Sequence, residues 1–316
     1  MALLNPVEAL DRRASVSGRI GPGPTDAPDL AETPYPPAAM EKARPEEALI
    51  EIVEHTRLAD RSITRILPSS LTGGPWNPGH QHGGAVVATC ARFLSRVDAP
   101  VPMRIARLTT EMFRGVPVAP LDVETRIIRS GRRIQSVEAS LVDPETKTIF
   151  ARATALRIRE TDEIPELEAS GERDPALGRR PETAPTMRPP ENLYVPEFIR
   201  ACDLIPGGTD DGGRPGTNWT RFCCRIVTDE SPTPIERMAA VLDFASGTFN
   251  VMDYTRYSAI NPDLTIHVLR PPRSDWIALR GHTLRSADGI GQSEAIAYDD
   301  HGPVARIAAC LLLGRL

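Results

Sequence analysis

The chain lacks every cysteine spacing that would mark a zinc cage or a redox pair. Its five cysteines, Cys90, Cys202, Cys223, Cys224 and Cys310, contain no C-x-x-C and are odd in number. That argues against a disulfide framework and for a reducing compartment. Cys223 and Cys224 are neighbours in an apolar strand-like run, so they point to opposite faces and read as small buried hydrophobes. Also missing is any stretch near the ~18 consecutive apolar residues of a membrane span. The start, MALLNPVEALDRRASVSGR, has neither the basic opening nor the apolar core of a secretory signal. The expected location is therefore the cytoplasm, with no membrane partner. A formal net charge of -5 leaves no nucleic-acid footprint. No G-x-S-x-G is present, which removes support for a serine-hydrolase elbow.

What remains is an ordinary globular composition, 41% hydrophobic and 25% charged over 316 residues, long enough for two domains or one duplicated unit. Residues 1–44 are rich in Pro, Ala and Gly without apolar periodicity, as in GPGPTDAP and ETPYPPAA, and read as a flexible extension. A second break, 161–216, mixes proline with charge and reads as a linker. It separates an N-terminal domain, 45–160, from a C-terminal domain, 217–316.

In the first domain the pattern predicts a helix near 45–56, a strand over 61–68, and a Gly-rich loop leading into a helix over 83–96. Four alternating runs follow, MRIARLTTEMFRG, LDVETRIIRSG, RRIQSVEASLVD and TKTIFARATALRI. The second domain repeats the order: WTRFCCRIV as strand, PIERMAAVLDFASGTFNVMD as one helix, then DLTIHVLRPP, WIALRGHTLRS, GQSEAIAYDD and PVARIAACLLL. LTTEMFRGVP aligns with LTIHVLRPPR, placing Leu108, Thr109 and Arg114 on Leu264, Thr265 and Arg270. The chain is an internal repeat of strand, helix and antiparallel meander. The fold class is α+β.

With HGG opening the first helix, FRG and LRP closing equivalent strands, GRR and GIG hairpins and LDFASG in the second helix, the chain resembles the acyl-CoA thioesterases of the double hotdog type, the thioesterase II-like group. The resemblance covers residues 45–315 and implies two fused hotdog units, each a sheet wrapped around a long central helix. It further implies acyl-CoA or a related acyl thioester as the partner, hydrolysis to free acid and coenzyme A, and homo-oligomers of double hotdogs. No cofactor is implied.

Thioester hydrolysis requires a polarised carbonyl and an activated water. Backbone N–H groups at a helix N-terminus suit the first task. Gly83 and Gly84 stand at such a terminus and, lacking side chains, allow close approach. Asn77, His80 and His82 in WNPGHQHGG are placed to shape the pocket or donate to the carbonyl. A loop packing role for the histidines is the alternative. A metal reading of H-x-H lacks a third ligand, so none is expected. For the second task, Asp243 lies in an apolar helical stretch where an unused acid is costly. By the resemblance, the acid faces a partner unit's glycine-opened helix. The first half has Ala91 at the acid position, and the second has Ile235 and Glu236 in place of the glycines. One composite site is therefore expected.

The thioesterase II pattern adds a hydroxyl and a Gln that hold the water. Asn261 and Thr265 are candidates for the first. The last strand shows Ala308 and Ala309 where the Gln should fall, leaving Gln292 as a replacement. Arg129, Arg132 and Arg133 at a hairpin read either as a coenzyme A phosphate patch or as a solvated turn. A non-catalytic acyl-thioester binding protein is the alternative function. A hotdog dehydratase or hydratase is a third, but its His and Asp on one loop-helix element are not evident.

Overall fold

The computed structural model describes residues 41–162, 180, 196–207, 216–249 and 256–315. The expected extension lies outside the described residues up to residue 40, and so does most of the linker. The first half runs β1 (Ala48–Arg57), β2 (Arg61–Pro68), α1 (Gly83–Ser95), β3 (Met103–Met112), β4 (Leu121–Arg129), β5 (Ile134–Val142) and β6 (Ile149–Arg159). The second runs β7 (Cys202–Ile205), β8 (Asn218–Phe222), β9 (Arg225–Val227), α2 (Pro234–Leu242), α3 (Phe244–Thr248) and β10 (Tyr257–Ile260). It closes with β11 (Asp263–Val268), β12 (Ile277–Arg285), β13 (Ile290–Asp299) and β14 (Gly302–Arg315).

The strands form one sheet in the order β7-β8-β12-β13-β14-β11-β3-β6-β5-β4-β2-β1-β9, with β10 beside β14. The halves meet where β11 pairs antiparallel with β3, and there Thr265 lies opposite Thr109. These are equivalent residues of the repeat, so a pseudo-twofold axis passes between them, as in an isologous dimer. The repeat extends to backbone detail. Phe113 and Arg114 N–H both donate to Phe150 O at 2.9 and 3.4 Å, and Leu269 and Arg270 both donate to Val304 O at 2.9 and 3.4 Å.

Alternation along the strands decides which face meets the helices. Val137, Ala139 and Leu141 of β5 and Ala151, Ala153 and Ala155 of β6 are fully buried. The row of alanines lets α1 come close, and α1 is buried from Gly84 to Leu94. At the other end of α1 the buried Arg157 donates to Val97 O at 2.6 Å and to Gln135 Oε1 at 2.9 Å. A cation at the negative end of a helix dipole offsets part of its own burial.

Four expectations are corrected. Residues 45–56 are not a helix, because β-branched Ile50, Ile52 and Val53 are drawn into β1, which pairs with β2 and, in parallel, with β9. WTRFCCRIV is not one strand: β8 pairs with β12 and β7, whereas β9 joins the opposite edge of the sheet beside β1. The second helix is not one piece: it breaks at Asp243 into segments of nine and five residues, and residues 250–253 of the expected helix lie outside the described residues, whereas α1 runs 13 residues where it was expected. Within the expected linker, residues 197–201 form a 3-10 turn that leads into β7, with Phe198 fully buried.

Candidate functional site

The loop before α1 is held at both sides. Gly73 bridges to Gln81 and His80 to Pro117, Gln81 N–H donates to Val116 O at 2.7 Å, and Val118 N–H donates to Gly79 O at 2.8 Å. These bonds fix where α1 begins. His82 is its N-cap, with Nδ1 2.9 Å from Gly84 N. No acidic residue occupies the first turn. The Gly83 N–H, at the first helical position, has no acceptor among the described residues.

Asp243 closes the other side. It sits at the junction of α2 and α3, buried, with Oδ1 accepting from Asn261 Nδ2 at 2.8 Å. Its Oδ2 lies 3.2 Å from His82 Nδ1. The glycine pair is what permits this. A Cβ on Gly83 would fall 2.7 Å from both Asp243 oxygens, and one on Gly84 would fall 2.5 Å from Ala240 O. The carboxylate therefore rests directly on the backbone at the mouth of α1, and α2 crosses α1 at Gly84.

His82 Nδ1 holds either a lone pair or a hydrogen. It can accept from Gly84 N–H or donate to Asp243, but not both. The ring itself is fixed by stacking on Phe198, with centroids 4.7 Å apart, and by an edge contact with Phe244 at 5.4 Å. Phe198 was not foreseen from sequence, although the apolar FIRACDLI after the proline-rich break is its signal.

Other candidates fall elsewhere. Asn77 Oδ1 accepts from Gly79 N–H at 2.8 Å and so shapes the loop. His80 is exposed, its ring lying on Gly115, where a Cβ would fall 2.2 Å from Nδ1. Thr265 is turned away from the core: it alternates with buried Leu264 and Ile266, and its hydroxyl donates to Thr109 Oγ1 at 3.2 Å. Gln292 is likewise on the outer face, exposed and bonded to Glu294 at 3.0 Å. Its neighbour Ser293 points inward instead, donating to Ala245 O at 2.6 Å. Ala309, opposite Ser293, is buried.

Arg132 and Arg133 sit at the β4–β5 hairpin, and Arg133 O accepts from Arg159 N–H. That end of the sheet adjoins the C-terminus of α1, where Gln135 Nε2 donates to Asp98 O at 2.8 Å. With ~1.5 Å of rise per helical residue, the two arginines are a full helix length from Gly83. They are not part of this site. Among the described residues no group of three His, Cys, Asp or Glu side chains is arranged to hold a metal ion.

The mirror position across the pseudo-twofold is closed. Thr233 and Glu236 form a capping box at the start of α2, with Pro234 leading the helix and Glu236 fully buried. Thr233 N–H donates to Glu236 Oε2, Glu236 N–H donates to Thr233 Oγ1, and Pro234 has no N–H to offer a ligand. Arg270, the counterpart of Arg114, is bound by Asp299 at 2.7 and 2.6 Å. Burial opposes ionisation of Asp299. The Arg270 guanidinium and the Arg273 and His301 N–H groups outweigh it and hold the carboxyl below its usual range.

The sequence matches the model of the acyl-CoA thioesterase N-terminal domain over residues 72–158 and of the acyl-CoA thioesterase C-terminal domain over residues 181–309. A search of curated proteins gives no match. Among solved structures, one from Novosphingobium aromaticivorans, provisionally named a thioesterase, is similar with a TM-score of 0.64 at 16% identity, over 83% of this chain and 97% of that one. A hot dog fold protein of unknown function from Alicyclobacillus acidocaldarius gives 0.60 at 14% identity, over 83% and 96%. An acyl-CoA thioesterase II from Mycobacterium marinum gives 0.57 at 13%, over 80% and 92%. These likenesses show the hotdog fold. The two domain matches, in order along one polypeptide, show that the chain belongs to the acyl-CoA thioesterase family.

Proposed function

We propose that the protein hydrolyses acyl-CoA thioesters to the free acid and coenzyme A at the junction of α1 and Asp243, without metal or covalent intermediate. The observation that carries this reading is the Asp243 carboxylate lying against Gly83 at an open helix N-terminus, oriented there by Asn261. The thioester oxygen takes the Gly83 N–H, where the unpaired donor and the helix dipole favour negative charge. Asp243 removes a proton from water, and the oxygen of the resulting hydroxide bonds to the thioester carbon. The proton on Asp243 Oδ2 then faces the lone pair of His82 Nδ1. Collapse of the tetrahedral intermediate breaks the C–S bond, and the proton goes to the departing thiolate. The free cysteines suit the reducing cytoplasm as the compartment.

A second reading is favoured by one observation: Thr265 and Gln292 lie on the outer face of the sheet and Ala309 is buried, so the expected hydroxyl–amide pair does not reach Asp243 among the described residues. In that case the chain binds acyl thioesters without turning them over. Thiol release from acyl-CoA substrates of several chain lengths separates the two. Hydrolysis that falls by two or more orders of magnitude in Asp243→Ala is expected. Unchanged hydrolysis in that variant removes Asp243 from the mechanism, and binding without thiol release in the wild type selects the second reading.

A further inference from the structure

We propose that Arg114 forms a phosphate subsite at the mouth of this site, receiving the phosphate end of the phosphopantetheine-type carrier whose thioester reaches Gly83. The inference rests on the thioester reading above and names the part of the substrate that sequence had assigned to the β4–β5 hairpin.

Arg114 is placed by two contacts that bracket it. Met112 N–H donates to Pro262 O at 2.7 Å, next to Asn261, which holds Asp243. Gly115 lies under the His80 ring, and His80 leads through Gln81 to the His82 cap. Arg114 stands between them, exposed, with no carboxylate partner among the described residues. Its distance along the chain from Met112 is two residues, roughly 7 Å of extended backbone. The exposed His80 imidazole adds a second donor on the same rim.

The duplicated half supplies the control. Arg270 has the same backbone hydrogen bonds as Arg114 but is chelated by Asp299 and donates to Gly302 O at 3.1 Å. The corresponding acid in the first half, Asp143, accepts instead from the Glu145 and Thr146 N–H groups of its own turn, at 2.8 Å each. One arginine is thus consumed by structure at the closed mirror position, and its twin beside the open one has no carboxylate partner among the described residues. A free guanidinium presents a fork of donors that matches phosphate oxygens.

The test compares wild type, Arg114→Ala and Arg114→Lys on three thioesters of one acyl group: acyl-CoA, acyl-phosphopantetheine and acyl-pantetheine, the last carrying no phosphate. Arg114→Ala is expected to raise KM for acyl-CoA about tenfold, the scale of one charge-assisted hydrogen bond, with kcat and melting temperature unchanged, and Arg114→Lys to recover part of the loss. KM for acyl-pantetheine stays the same. A rise shared by acyl-phosphopantetheine assigns the contact to the pantetheine phosphate, and a rise confined to acyl-CoA assigns it to the nucleotide phosphates. An unchanged KM for acyl-CoA, or an equal rise for acyl-pantetheine, overturns the subsite while leaving the hydrolase reading intact. If no thioester is hydrolysed by the wild type, the hydrolase reading fails, and titration calorimetry with coenzyme A decides the subsite. Weaker binding by Arg114→Ala supports it. Equal affinity, or no binding by the wild type, overturns it.

Discussion

Asp243 is only 4% exposed and lies among Val241, Leu242 and Phe244. A carboxylate in such surroundings needs a partner to offset its desolvation, and Asn261 Nδ2 donates to it at 2.8 Å. The acid and the glycine pair were legible in sequence because each violates a local rule: an acid inside an apolar helix and two glycines at a helix start. Thr265 and Gln292 were not, because a strand position read one residue off turns the side chain to the opposite face. Ser293, not Gln292, is the inward residue of that pair. Phe198 escaped because its stack on His82 joins segments more than a hundred residues apart in sequence. At this scale the most direct test is Asn261→Ala. Loss of one hydrogen bond to a buried carboxylate costs about 1.5–3 kcal/mol. If Asp243 acts in the transition state, kcat should fall about ten- to hundredfold with KM little changed. A variant with wild-type kcat would show that the amide does not orient the base.

The central strands were legible from alternation, and α1 from its loop and apolar run. The edges were not. β1 and β9 pair with each other across most of the sequence, and no local pattern announces that a strand will leave its neighbour β8 for the far edge. The break between α2 and α3 at Asp243 had no local signal either, and Gly84 brings α1 within backbone contact of α2 at Ala240, one turn before it. The two glycines therefore fail differently when given a side chain. Gly→Ala inside a helix ordinarily stabilises by about 1 kcal/mol. At Gly84 the added carbon would lie 2.5 Å from Ala240 O and 2.7 Å from the Phe198 ring, and overpacking of that kind costs about 1–3 kcal/mol. Gly84→Ala should lower the melting temperature by several degrees. At Gly83 the three atoms nearest the added carbon all belong to the Asp243 carboxylate, a side-chain end that can shift where a backbone carbonyl cannot, so Gly83→Ala should lose thioester hydrolysis with a smaller drop in melting temperature than Gly84→Ala. Thermal melts and thiol release on the same two proteins would check both, and matched losses of stability and activity in the pair would contradict this division.

Across the whole molecule the pairing of Thr109 with Thr265 makes the sheet a pseudo-dimer, and a symmetric dimer of this plan would carry two equivalent sites. Divergence of the halves leaves one candidate site among the described residues. The first half supplies the open helix end but has buried Ala91 at the acid position, and the second supplies Asp243 but caps its own helix with Thr233 and Glu236. Arg96 from the end of α1 lies 3.8 Å from the buried Glu236 Oε1, and Arg92 binds Glu230 nearby at 2.7 and 2.8 Å. Those charges fill the mirror position from both sides. Duplication was visible in the sequence. The closure was visible only in part, because Glu236 in the glycine position signals a missing site, whereas the ion pairs that occupy the space come from α1. The expected binding stoichiometry is therefore one acyl-CoA per chain. Calorimetry with a non-hydrolysable thioether analogue measures it directly, and Asp243→Asn should retain the same stoichiometry, since it removes charge without refilling the pocket. Two equivalent binding events per chain would show that the capping box opens for ligand, and the asymmetry argued from Thr233, Glu236 and Arg270 would not hold.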